Sequence, residues 1–245
     1  MIEIKEDANT KNLNIVSEFF SENVNYLEFE GTDLEDIFET LNKVEHKSNL
    51  EENKFGIDYI EKNNKYILLE FSSFSSKKIV KFEEGNEKEY PFLKLVKVKV
   101  YMFEEFVACI GDSDAIKSFK MFISEVFLTE VISLFPAELT MLNLLNNFKQ
   151  IQQVICDRIS HKNIKKITVC GNAVDICDFD INYSGYDINS ICGVIYTGVG
   201  DRKIKITNNG KIMFYKKKDS PLYIHHLEVG YKLLTNQYYI DEDDN

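Results

Sequence analysis

The chain carries the same series of secondary-structure signals twice, about 106 residues apart. In the first copy, residues 93–103 alternate apolar and lysine side chains, and a turn, a second apolar run and an amphipathic stretch follow. In the second copy, the same order runs from residues 202–207 through the turn Asn209-Gly210 to an amphipathic stretch after Ser220. Asn-Gly between apolar runs is a strong hairpin signal. Each copy therefore predicts strand, tight turn, strand and helix, and a repeat this long indicates a duplicated half-domain, not a solenoid.

The composition is that of a folded protein with a sizeable core. The chain has 245 residues, of which 44% are hydrophobic and 13% aromatic. It contains no run of 18 apolar residues, and its first residues are too acidic for a signal peptide. We therefore expect a soluble intracellular protein, in cytoplasm or nucleus, with no membrane partner. The odd number of cysteines and the absence of CxxC spacing predict free thiols rather than disulfides or zinc. They are Cys109, Cys156, Cys170, Cys177 and Cys192.

Apolar periodicity and turn residues predict the remaining elements. A helix is expected over 32–45, because Thr32 and Glu35 form a capping box. A last helix is expected over 220–234, with Ser220 as its cap and Pro221 at its first position. Between them the patterns predict a hairpin over 55–71, loops over 72–76 and 83–89, helices over 113–135 and 137–159, and a strand over 165–169.

The charge is unevenly distributed. The formal net charge is -11, yet residues 160–218 hold ten basic and five acidic side chains. Lys203 and Lys205 alternate with isoleucines and therefore share one face of their strand, as Lys97 and Lys99 do in the first copy. Such a face either contacts phosphates or is simply the solvent-exposed side of a half-buried strand. The sequence leaves both interpretations open.

The second copy resembles the repeat of TATA-box-binding proteins over residues 164–235. In that family each half is a strand, a short helix, a curved antiparallel meander and a long C-terminal helix. The matching segments here are Cys192-Gly193-Val194-Ile195-Tyr196, residues 202–207, Asn209-Gly210-Lys211-Ile212 and residues 220–234. The first copy, over residues 13–128, matches the family more weakly because its turn lacks Gly-Lys.

The resemblance implies an α+β fold with two TATA-binding-protein-like halves, each a curved antiparallel sheet backed by helices, and a helical insertion between them. Residues 1–128 would be the first half with an inserted hairpin, 129–160 a helical connector, and 161–245 the second half with an acidic tail. The departures from the family pattern suggest a divergent member of a viral or plasmid type.

The same resemblance implies a promoter-binding, transcription-initiation factor without enzymatic activity, cofactor or metal. Its partners would be double-stranded DNA and a transcription factor IIB-like factor or an RNA polymerase subunit. Family members wedge phenylalanines into the minor groove; Ile191 and Thr207 stand at those positions of the second copy, and Met102 or Phe103 in the first. The expected DNA-contacting residues are Lys97, Lys99, Met102, Phe103, Ile191, Lys203, Lys205 and Lys211.

Two alternatives remain at this point. One is a protein-interaction module on the same fold that binds no DNA. The less favoured one is a metal-dependent nuclease, with Asp58 and Glu70 on a hairpin as metal ligands. Ser72 stands where such nucleases carry a lysine, and no other catalytic motif occurs, so no catalytic residue is assigned.

Overall fold

The computed structural model describes residues 19–29, 33–44, 55–83, 85–136, 138–158, 166–171, 186–217 and 224–238. The chain divides into two compact units. We call Asn25–Leu134 the central unit, and Met1–Val24 together with Phe135–Asn245 the terminal unit. Both units contain antiparallel sheet, and four α-helices occur in the described part of the chain, so the protein is α+β. None of the described helices is long and apolar enough to cross a membrane.

The described residues of the central unit form six strands and two helices, counting β1 at the boundary. They are β1 (Phe19–Phe29), α1 (Leu34–Lys43), β2 (Phe55–Lys62), β3 (Ile67–Glu83), β4 (Asn86–Met102), β5 (Val107–Gly111), α2 (Ser113–Phe127) and β6 (Val131–Ser133). The terminal unit contributes α3 (Glu138–Leu144), a 3-10 turn (Leu145–Asn147), β7 (Gln150–Arg158), β8 (Lys166–Cys170), β9 (Tyr186–Tyr196), β10 (Asp201–Thr207), β11 (Lys211–Lys217) and α4 (Ile224–Leu234).

In the central unit the strand order is β2-β3-β4-β5-β1, and β6 pairs antiparallel with β1. Val98 and Val100 of β4 point to the side of the sheet covered by α1 and α2, where they join one apolar core. Phe71 of β3 packs there against Phe119 and Phe122 of α2, with ring centroids 5.4 and 5.3 Å apart. Successive strand residues point to opposite sides, so the lysines between these valines lie on the side away from the helices.

In the terminal unit the strand order is β11-β10-β9-β7-β8. Ile204 and Ile206 are fully buried on one side of β10, opposite Phe214 and Ile212 of β11. The ring of Phe214 lies 6.1 Å from that of His226 in α4, which identifies this side as the helix-covered one. As expected for the last helix, Leu227, Leu233 and Leu234 are buried. We call the opposite side of each sheet its open face.

Several predicted elements are confirmed, and α1 has a cap next to the predicted one. The side chain of Asp33 accepts a hydrogen bond from the Glu35 N–H at 3.1 Å and caps the helix. The hairpin of β2 and β3 and the meander β9-β10-β11 also lie where predicted. The predicted Thr32 capping box, the Ser220 cap with Pro221, and the acidic tail fall outside the described residues.

The helices predicted over 113–135 and 137–159 are wrong in their second halves. α2 ends at Phe127, and α3 ends at Leu144, while residues 150–158 form β7 in the middle of a sheet. Apolar periodicity cannot separate a short buried helix from a strand with register shifts, and β7 has such shifts against β9. The segment expected to be a helical connector is therefore helical only over 138–147 among its described residues.

The loops predicted over 72–76 and 83–89 are also wrong. β3 and β4 run through both segments as one hairpin paired from Ile67↔Met102 to Glu83↔Asn86. Gly85, at φ +81°, supplies the left-handed conformation that the tight turn between them requires. Serine and charged side chains are typical of loops, but here the partner strand determines the conformation.

Candidate nucleic-acid interface

The open face of the terminal unit presents three lysines on adjacent strands. Lys203 and Lys205 alternate with the buried Ile204 and Ile206, as the sequence predicted. Lys211 follows on β11, where continuation of the register from the pair Ile206↔Ile212 places it opposite Thr207 on the same face. Within the described part of the chain, none of the three lysines forms an ion pair. Their charge is therefore available to an anion.

Aromatic and apolar side chains stand between these lysines. Lys203 Nζ lies 5.1 Å from the ring centroid of Tyr215, a cation–π contact that holds the ammonium over the strand. Cys192 and Val194 of β9 pair with Lys205 and Lys203 and complete a surface of mixed cationic and apolar character. Such a surface suits a nucleic-acid backbone together with sugar or base edges.

The one carboxylate of β10 and β11 already forms an ion pair with a lysine of the protein. Asp201 is the single carboxylate of β10 and β11, and its Oδ2 lies 3.2 Å from Lys149 Nζ. Burial raises the pKa of the Cys192 thiol, and Lys203 and Lys205 oppose that shift. The thiol therefore stays protonated at neutral pH, and the local charge is that of the lysines.

The open face of the central unit is different, because its first lysine meets a carboxylate. Asp58 is the extra residue of a bulge in β2, at the register shift between Ile57 and Tyr59. Its Oδ2 lies 3.1 Å from Lys97 Nζ, and its Oδ1 accepts a hydrogen bond from Ser72 at 3.0 Å. The bulge thus turns a carboxylate onto the face where the sequence predicted only lysine.

Lys99 has a similar environment. It stands directly opposite Glu70 on β3, and its Nζ lies 5.4 Å from the ring centroid of Tyr101. Glu61 pairs with Leu68 and adds a further carboxylate to this face. Three acidic and two basic side chains on β2, β3 and β4 therefore leave the central face without net positive charge.

The expectation that Met102, Phe103 or Ile191 wedges between base pairs is not supported. Met102 and Ile191 have no exposed surface, since each is on the helix-covered side of its sheet. Phe103 is 7% exposed and stacks on Phe106, with ring centroids 4.3 Å apart. Inserting any of them between bases would require removing a core side chain from its packing, so we leave them out of the interface.

Asp58 and Glu70, the two carboxylates that a nuclease would use as metal ligands, lie beside other side chains of the protein. Asp58 binds Ser72 and Lys97, and Glu70 lies opposite Lys99. Across the described residues, no group of three or more potential ligands is placed to hold a metal ion.

Sequence reasoning missed Tyr215 and the bulge at Asp58. Tyr215 could have been found, since strict alternation from the buried Phe214 puts it on the lysine side. The bulge has no comparable sequence signal, because it depends on how β2 pairs with β3.

No protein-family model matches the chain, and no curated protein is significantly similar to it.

Proposed function

We propose that the protein is a divergent, non-enzymatic relative of the TATA-box-binding proteins that binds duplex DNA in transcription initiation. The main observation in favour of DNA binding is a set of three lysines on the open face of the terminal unit that have no ion pair among the described residues. They are Lys203, Lys205 and Lys211, beside Tyr215. A transcription factor IIB-like factor or a polymerase subunit would be the protein partner.

The family part of the proposal is supported by the order of elements in each unit. The central unit contains strand, helix, the meander β2-β3-β4-β5 and a closing helix. The terminal unit contains a short helix, the strands β7, β9, β10 and β11 as sheet neighbours, and again a closing helix. β8 is an additional edge strand beside β7. The central unit follows the order given above for a TATA-binding-protein half, and the terminal unit follows it from the short helix onward, which supports the proposal.

The repeat is also supported residue by residue. Val98 and Val100 correspond at an offset of 106 to Ile204 and Ile206, and all four are buried on the helix side. The lysines between them share the opposite side in both copies. At these positions of β4 and β10 the two copies thus bury and expose corresponding side chains.

The two faces differ in what they can bind. The lysines of the central face stand beside Asp58 and Glu70, whereas those of the terminal face have no acidic partner among the described residues. We therefore assign phosphate contacts to the terminal face. Because Met102, Phe103 and Ile191 lie in the cores, we expect binding without the sharp kink that wedged side chains produce.

The test is a fluorescence titration of a labelled duplex over a range of salt concentrations, with two matched double variants. Changing Lys203 and Lys205 to alanine should weaken binding and reduce the slope of log K against log[salt] by about two units. Changing Lys97 and Lys99 to alanine removes the same charge and should have a much smaller effect. Absence of duplex binding at low salt, or equal losses in both variants, would contradict the proposal.

A further inference from the structure

The hairpin of β3 and β4 extends well beyond the sheet of the central unit. β2 accompanies β3 only as far as the pair Phe55↔Ser73, and β5 accompanies β4 only from the pair Val98↔Gly111. Residues 74–83 and 86–95 therefore pair with each other alone, among the residues that the structure describes. We call this two-stranded ribbon the arm.

The arm exposes large apolar side chains that a water-facing ribbon does not need. Phe82 is 74% exposed, Leu93 69% and Val80 52%. The register places Phe82, Val80, Phe74, Leu93 and Leu95 on one side of the ribbon, continuous with the open face. An exposed apolar strip of this kind marks an interaction surface.

A hydrogen bond and two ion pairs join the base of the arm to the N-terminus of α2. Ser75 Oγ donates to Asp114 at 2.6 Å, Lys77 pairs with the same carboxylate, and Lys94 Nζ lies 3.1 Å from Asp112. These contacts hold the other side of the ribbon. The arm is thus a positioned element whose apolar strip is not covered by any described residue.

The two backbone edges of the arm are not equivalent. In an antiparallel pair, alternate residues direct their N–H and C=O groups away from the partner strand. Counting from the closing pair Glu83↔Asn86, the outward groups are those of even-numbered residues on β3 and odd-numbered residues on β4. Pro91 on β4 then faces outward and has no N–H to offer, so it blocks strand addition at that edge. The edge of β3 from Phe74 to Phe82 has no proline and can accept a strand.

One lysine of that edge is left to select the partner by charge. Lys77 and Lys78 already pair with Asp114 and Glu89, whereas Lys81 has no carboxylate partner among the described residues. Antiparallel pairing of this edge with the same edge of a second copy would set Lys78 against Lys78 or Lys77 against Lys81, depending on the register, which is unfavourable. An incoming strand with acidic residues between apolar ones would meet Lys81 with opposite charge and the apolar strip with apolar side chains.

We propose that the arm binds an extended, acidic and apolar segment of another protein, which adds as a strand to the edge of β3 at residues 74–82. Main-chain hydrogen bonds supply the affinity, and the side chains of Val80, Lys81 and Phe82 supply the selectivity. This interaction is independent of the DNA contacts proposed for the terminal unit.

The test uses two capped synthetic peptides with the full-length protein, one alternating valine with glutamate and one alternating valine with lysine. Calorimetry should detect the glutamate peptide and a weaker or absent response to the lysine peptide. Backbone amide exchange should slow at Ser76, Lys78 and Val80, whose N–H groups face outward.

Two variants distinguish binding through the main-chain groups of the β3 edge from binding through its side chains. Val80→Pro removes one outward N–H without breaking a hydrogen bond to β4, and it should weaken peptide binding about tenfold or more. Val80→Thr keeps the N–H and the β-branched shape and should bind nearly as well. Equal protection from amide exchange at Ile79 and Lys81, whose N–H groups face β4, establishes that the arm still folds in both variants.

Four outcomes would overturn the proposal. They are no binding of either peptide, equal binding of both, unchanged binding by Val80→Pro, and self-association of the protein that Val80→Pro abolishes. The last of these would assign the edge to a second copy of the chain.

Discussion

Lys97 Nζ lies 3.1 Å from Oδ2 of Asp58, the residue that a bulge in β2 turns onto the open face of the central unit. The Lys97 side chain is 59% exposed and that of Asp58 25%. This pair is what distinguishes the central face from the terminal face, and it can be removed with a single isosteric change.

Asp58→Asn should raise duplex affinity at low salt and increase the salt slope by up to about one unit, because it frees the Lys97 ammonium. The free energy of unfolding should change by less than about 1 kcal/mol, since an exposed ion pair contributes little. The measurement is the labelled-duplex titration. Glu39→Gln, an exposed change on α1, serves as the charge control. If the gain persists in the Asp58→Asn, Lys97→Ala double variant, Lys97 does not cause it.

Gly193→Ala should destabilise the terminal unit by about 1–3 kcal/mol, the usual range for overpacking. A Cβ at this position would lie 2.3 Å from the Gln150 carbonyl oxygen and 2.6 Å from Phe148 Cδ1, and the backbone cannot move aside cheaply. Gly56→Ala is the matched control, because no atom lies within 4 Å of its Cβ position. Urea unfolding compares the two. Equal stabilities would mean that β7 and β9 do not approach each other as closely as described.

Asp112→Ala should cost about 0.5–2 kcal/mol, because Asp112 caps α2 by accepting from the Asp114 N–H at 2.9 Å. That hydrogen bond, with a smaller contribution from Lys94, lowers the pKa of Asp112 below its ordinary 3.8. Its stabilisation is therefore complete above pH 4 and is lost as the pH falls through the lowered pKa. Asp112→Asn keeps the cap but should remove this pH dependence. Unfolding free energies measured between pH 2 and 6 test both statements.

Cysteine alkylation should follow burial. Burial raises the pKa of Cys156 to about 11 and that of Cys109 further, whereas the Cys170 side chain is exposed. At pH 8, iodoacetamide should modify Cys170 first among the described cysteines and spare Cys109 and Cys156 until the protein unfolds. Peptide mass spectrometry measures each site.

The same pKa shifts have a consequence for stability. The folded state retains the thiol protons of Cys109 and Cys156 above pH 9, where an ordinary thiol has lost its own. Stability should therefore decline as the pH rises from about 9 towards 11. Cys156→Ala should lessen that decline, and an identical pH profile for this variant would contradict the assigned shift.

The alternation of buried and exposed side chains along single strands could be predicted from the sequence. The positions of Lys203 and Lys205 opposite Ile204 and Ile206 follow from the two-residue period of a strand, and the Asn209-Gly210 turn follows from local backbone preference. The apolar face of α4 follows from helical spacing in the same way. These features depend on neighbours a few residues apart.

The sequence by itself thus determined the α+β class, the β2–β3 and β10–β11 hairpins and the side of β4 and β10 on which their lysines lie. Only the tertiary structure decided that residues 150–158 are a strand, that β3 and β4 continue as an exposed arm, and that Met102 and Ile191 are core residues. It also decided that Asp58 meets Lys97 across 39 positions of the chain. The physical reason is that strand pairing and bulges arise from hydrogen bonds and packing between distant segments. No local preference encodes them.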